Sequence, residues 1–257
     1  MRRSTVRRTA VAASAISLAL LVSACGSEEP AAKDEPKDKP SSGAPAAPGG
    51  NTKALSQAEL EKLVLTESDL KDHKIEKPSA VDVAAAKTVS GDKAECKPLV
   101  DIMALRAPGG AGASVSRKIA AIAKPLPADA SAEDKMKAGM GALGVTVTVD
   151  TLASYEGKGA ADAVAALKKA GADCAGGFTL NAGDDKTKIT KVEGASYTAG
   201  DESVAFTITV DMEGMPGTGH LVSVRKGSTV ATFYSQSLTG KAEQPKAVIE
   251  AQVKKLG

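Results

Sequence analysis

Val204, Phe206, Ile208, Val210 and Met212 put an apolar side chain at every second position of one short run, and no other feature restricts the fold as much. Successive strand residues point to opposite faces, so this alternation predicts a strand with one face in a core and the other in water. Antiparallel sheets tolerate that arrangement, whereas parallel ones are covered on both sides. Further strands are predicted at 188–197, 220–225 and 229–235, with a shorter one around Phe178 and Leu180. Val145, Val147 and Val149 alternate with Thr146, Thr148 and Asp150 and predict another half-buried strand. Arg225-Lys226-Gly227-Ser228 reads as a tight hairpin, and the glycine-rich 214–219 as a wider one.

Helix signals lie between and around these runs. Ser56 with Glu59 forms a capping box, Leu55 can pack on Leu60, and Leu60, Leu63 and Val64 make one apolar stripe. Thr66 to Asp69 repeats the capping chemistry more weakly. Pro98 suits the first turn of a helix carrying Leu99, Ile102 and Met103. A helix over 158–170 shows Ala160, Val164 and Leu167 on one face, and a closing helix starts near Pro245. The Ala, Gly, Pro and Lys-rich stretch 107–142 reads as a flexible insertion with one short helix over 116–124. The expected fold is α+β: mainly an antiparallel sheet of about five strands, with helices packed on one face. It forms a single globular domain over 54–257.

The N-terminus supplies an address. Arg2, Arg3, Arg7 and Arg8 precede an uncharged run over 11–22 that is too short to span a bilayer, the pattern of a secretory signal over 1–24. Val22-Ser23-Ala24-Cys25 resembles the lipobox of bacterial lipoproteins, which implies a diacylglycerylated and palmitoylated Cys25 as first mature residue. Arg7-Arg8 leaves general and twin-arginine export both open. Residues 25–53 are rich in Pro, Ala, Gly and charge, lack hydrophobic periodicity, and predict a disordered tether. The domain is thus expected outside the cell, lipid-anchored to the cell membrane.

Composition narrows the partners. Loss of the four signal arginines takes the formal charge from +2 to −2, which argues against nucleic acid. Three Phe, three Tyr and no Trp leave few aromatic platforms for sugars. Cys96 and Cys174 form an even pair in an exported chain, so a disulfide is expected; CxxC spacing is absent, and His73 and His220 add little for a metal.

Several short motifs read better as structure than as chemistry. Gly157-Lys158-Gly159 carries Asp162 where a dinucleotide fingerprint needs its third glycine. Ser90 and Lys93 have the spacing of penicillin-recognising enzymes without the accompanying elements. Met212, Met215 and His220 offer soft metal ligands, but Met212 is in phase with the buried strand face. Asn181 to Asp185 has oxygen ligands without calcium-loop spacing. No catalytic constellation, metal site or cofactor motif emerges, and the chain is read as a non-enzyme.

Leu63 to Leu70, then Glu95-Cys96-Lys97-Pro98-Leu99, then Ser154-Tyr155 followed by an Ala-rich helix and Cys174, together resemble the PknH-like extracellular sensor domain of actinobacterial receptor kinases and lipoproteins. The resemblance implies an antiparallel sheet with packed helices around a cleft, an undefined ligand, and Cys96–Cys174 as a bridge. It departs from the family in having one candidate disulfide rather than two and no tryptophan near the second cysteine. The expected function is a membrane-anchored extracellular binding or sensor module for a small-molecule, lipid or cell-wall ligand. Its candidate pocket residues are Val147, Phe206 and Val210. The alternative is a lipid or glycolipid carrier of the cell envelope, which the Ala/Val-rich core permits.

Overall fold

The computed structural model describes residues 53–122, 126, 127, 129–237 and 239–257, so Cys25, the signal and nearly all of the expected tether lie outside it. In chain order the elements are α1 (Gln57–Leu63), β1 (His73–Glu76), α2 (Ala80–Thr88), β2 (Val89–Gly91), α3 (Lys97–Met103), β3 (Ala113–Ala121), α4 (Ala132–Leu143), β4 (Thr146–Ser154), α5 (Gly159–Asp173), β5 (Phe178–Ala182), β6 (Asp185–Ala195), β7 (Glu202–Met212), β8 (Met215–Lys226), β9 (Thr229–Ser237) and α6 (Lys246–Leu256). The described strands form one sheet in the order β1-β3-β4-β9-β8-β7-β6-β5-β2, every pair antiparallel. No described helix is long and apolar enough to cross a membrane.

The α+β class and antiparallel pairing match the expectation, but the sheet has nine strands rather than about five. Helices also cover both faces, not one. Adjacent residues of single strands show this directly: Phe206 and Leu221 pack in the cluster beneath α3 and α5, whereas Ala205 and Val222 pack with Leu60, Val64 and Ile249 beneath α1 and α6. Consequently β4 is not half-wet. Thr148 and Asp150, expected to face solvent, are buried under the second helical layer.

The 107–142 stretch is also corrected. Its first part is β3, paired along its length with β4, and Val115 and Ile119 are core residues; among its described residues only α4 remains as a helix, displaced from the expected 116–124. Non-local pairing overrides the helical propensity of Lys-Ile-Ala-Ala. The hairpin between β7 and β8 is tighter than expected. Met212 pairs directly with Met215, and Glu213 and Gly214 take positive φ, as a two-residue primed turn requires.

The chain path dictates curvature. β1 and β2 are consecutive strands yet occupy opposite edges, about 38 Å apart if the sheet were flat. The connection through α2 reaches at most about 28 Å, because nine of its residues rise as a helix. The sheet must therefore curl toward α2. Two contacts locate the concave side: Lys118 of β3 donates to both carboxylate oxygens of Asp82 in α2 at 3.1 Å, and the Arg106 guanidinium, just beyond α3, donates to the carbonyls of Ala86 and Val89. The α2 segment straps the trough.

One end of the trough is filled. α3 and α5 lie across it, joined by the Cys96–Cys174 disulfide, whose Cα atoms are 5.9 Å apart and whose cysteines are separated by 78 positions in sequence. Closing that loop stabilises the fold by about 4.5 kcal/mol in the chain-entropy account. Gly171 on α5 admits the Phe206 ring, since a Cβ there would lie 2.1 Å from it. On the opposite face the Ser56–Glu59 capping box starts α1 as expected, and Gln252 of α6 accepts from the Leu65 amide and donates to the Leu63 carbonyl.

Candidate functional site

The inward positions of β8 explain why the other end of the trough is open. Leu221 fills the helix-covered half, but the next two residues on that face, Gly219 and Gly217, have no side chain. Beyond them Met215 is exposed. Here α3 and α5 no longer reach across the sheet, and a cavity of about 880 Å³ remains. That volume lies within the range of small-molecule sites.

Its walls are mainly apolar. Val147, Val210, Leu180, Ile189, Met103 and Met212 contribute from four strands and the end of α3. A bulge between Ile189 and Lys191 turns both Ile189 and Val192 to the concave side despite their three-residue spacing. The Tyr234 ring crosses Gly219, 3.4 Å from where a Cβ would sit. Burial pushes its phenol up to about 12, so the hydroxyl keeps its proton.

Charge is confined to the margin. Lys118 lines the cavity but is engaged by Asp82, whose carboxyl is held below the usual range by the Ser79 amide and hydroxyl and then by Lys118. Lys186, Asp211 and Glu213 also line it, and Asp211 accepts from the Gly214 amide at 2.7 Å. The rim carries both signs and the interior carries neither.

Of the three residues expected to line a pocket, Val147 and Val210 lie together in this cavity. Phe206 does not. It points to the same face but sits where α5 covers the sheet, against Gly171. Tyr234 was not anticipated, because β9 is buried on both faces and shows no alternation. The paired glycines on β8 are the signal that points to it.

The remaining sequence motifs resolve into structure. Lys93 donates to the Gly177 carbonyl at 2.7 Å, and Asp92 accepts from the Thr179 amide at 2.8 Å. His220 lies on the convex side, its Nε2 3.2 Å from the Ala242 carbonyl oxygen, away from Met212 and Met215. Asn181 to Asp185 is the β5–β6 hairpin turn, with Gly183 at positive φ. Gly157 to Asp162 turns β4 into α5. Among the described residues no group of three His, Cys, Asp or Glu side chains could hold a metal ion.

Comparison with known proteins is sparse. No family model matches the chain, and no curated protein matches it in sequence. Among solved structures, the extracellular domain of PknH from Mycobacterium tuberculosis matches with a TM-score of 0.44 and 11% sequence identity, over 79% of this chain and 96% of that one. A likeness of that size fixes neither ligand nor activity.

Proposed function

We propose that the protein is a non-enzymatic binding module, tethered outside the cell by a lipid on Cys25, which takes a ligand with an apolar body into the trough. The observation that carries this reading is the cavity itself: about 880 Å³ of space walled by Val147, Val210, Leu180 and Ile189, with charge only at its margin. A folded core ordinarily closes such space; the two inward glycines of β8 add no side chain to fill it and let Met212 and the Tyr234 ring lie close against the strand. Burying apolar ligand surface there contributes roughly 25 cal/mol per Å² before the cost of association. The disulfide suits an oxidising compartment.

Apolar walls favour the lipid or glycolipid carrier over a receptor for a small polar molecule. Organic extraction of the purified Cys25→Ala protein, followed by mass spectrometry, tests this, because any lipid recovered is then not covalently attached. A stoichiometric lipid that is lost on Val210→Phe supports the carrier. A small polar molecule held at the same site would return the reading to a sensor, and an empty protein that takes up no apolar probe would remove the binding function.

A further inference from the structure

The cavity's inner surface has one polar side chain set deep within it. Tyr234 is 5% exposed, yet its hydroxyl lies over Gly219 on the cavity floor, and burial alone accounts for its raised pKa, with no hydrogen bond contributing. No described residue bonds to that oxygen. Tyr155 differs: its hydroxyl donates to the Pro108 carbonyl at 2.6 Å and has no bond left to offer a ligand. The Tyr234 hydroxyl is not sealed off from the cavity, so water can reach it while the cavity is open; a ligand that fills the cavity strips that water away, and only one bringing an acceptor replaces the lost hydrogen bond.

The acceptor's charge follows from what surrounds it. Among the described residues no cation stands beside Tyr234: Lys118 is bound to Asp82, and Lys186 is an exposed residue of the rim. A carboxylate or phosphate drawn to that depth would lose its hydration without compensation, whereas a neutral carbonyl would lose little. We propose that Tyr234 is the specificity-determining donor of the cavity, selecting ligands that carry a neutral carbonyl or ester oxygen within an apolar body, as in an esterified acyl lipid. The phenol O–H donates to the carbonyl oxygen, the hydrocarbon lies along Val147, Val210 and Ile189, and any charged head stays at the rim.

This inference rests on the binding reading above, and two fluorescent probes separate the two. Diphenylhexatriene is a hydrocarbon without a polar atom; methyl cis-parinarate has one ester. Titrated against the full chain carrying Cys25→Ala, both are expected to bind. Tyr234→Phe should weaken the ester about three- to tenfold and leave the hydrocarbon within twofold. Gly217→Leu, whose added side chain displaces Met212 into the cavity, should weaken both. Equal effects of Tyr234→Phe on the two probes, or none, would overturn the role of the phenol. Failure of both probes to bind, or indifference to Gly217→Leu, would instead overturn the binding site. Should Tyr234→Phe not fold, the ¹³Cζ resonance of Tyr234 gives the same answer: it should move when methyl cis-parinarate saturates the protein and stay with the hydrocarbon, and an identical response to both contradicts the proposal.

Discussion

Replacing Asp150 by Asn should stabilise the protein, and by an amount that grows with pH. The Asp150 side chain is fully buried under α1 and α6, and neither carboxylate oxygen has a hydrogen-bond partner among the described residues. Its cross-strand neighbour Arg117 turns its guanidinium to Glu61 instead, at 2.6 Å, and to the Ser116 carbonyl at 2.9 Å. Desolvation raises the Asp150 carboxyl to about 8, with Arg117 only partly opposing it. An unfolded chain would ionise the same group near 3.8.

Between those values the folded state holds a proton that the unfolded state has released, so stability falls as pH rises through the window. Below about pH 4 the penalty is absent, and above about pH 8 it is complete. Four pK units at about 1.4 kcal/mol each set its full size on the order of 5 kcal/mol, with about 4 kcal/mol already present at pH 7. Asn keeps the shape and cannot ionise. Urea unfolding followed by circular dichroism at pH 4, 5.5, 7 and 8.5 measures both proteins, and every other titrating group is common to them. The stability difference should widen by several kcal/mol across that range. A difference constant within about 0.5 kcal/mol would refute the account of Asp150 as a buried, uncompensated acid.

Three further outcomes follow from the packing and from the N-terminal signal. Replacing Cys96 and Cys174 together by Ser should cost about 2–5 kcal/mol in urea unfolding, and reducing agent should lower the wild-type melting temperature without affecting the variant. Gly171→Ala should destabilise by about 1–3 kcal/mol because its Cβ meets the Phe206 ring, whereas Gly176→Ala, which meets nothing within 4 Å, should be nearly neutral. Radiolabelled palmitate should enter the wild-type protein and not Cys25→Ala, which should no longer sediment with membranes.

Strands β4 to β9 are each legible in the sequence, β7 above all because its alternation survives there. β1, β2 and β3 are not. β1 and β2 have four and three residues, too few to show a period. In β3 the buried residues Val115, Arg117 and Ile119 do alternate, but an ionic side chain in the series and the following alanines mask the pattern. Asp150 misled for a physical reason: a charged residue in phase with threonines reads as a wet face, and only the arrival of α1 and α6 from distant parts of the chain buries it. Phe206 shows the same limit within the candidate site. Periodicity places it on the concave face with Val210, yet nothing local says that α5 covers one of them and not the other.

Methyl-labelled NMR of the Cys25→Ala protein during titration with methyl decanoate tests the binding trough most directly. Resonances of Val147, Val210, Leu180, Ile189 and Met103 should shift together and saturate at one equivalent, while Leu60, Val222 and Ile249 on the opposite face stay in place. Shifts confined to Met136 and Met140 on the exposed surface of α4, or no saturable shift at all, would contradict it.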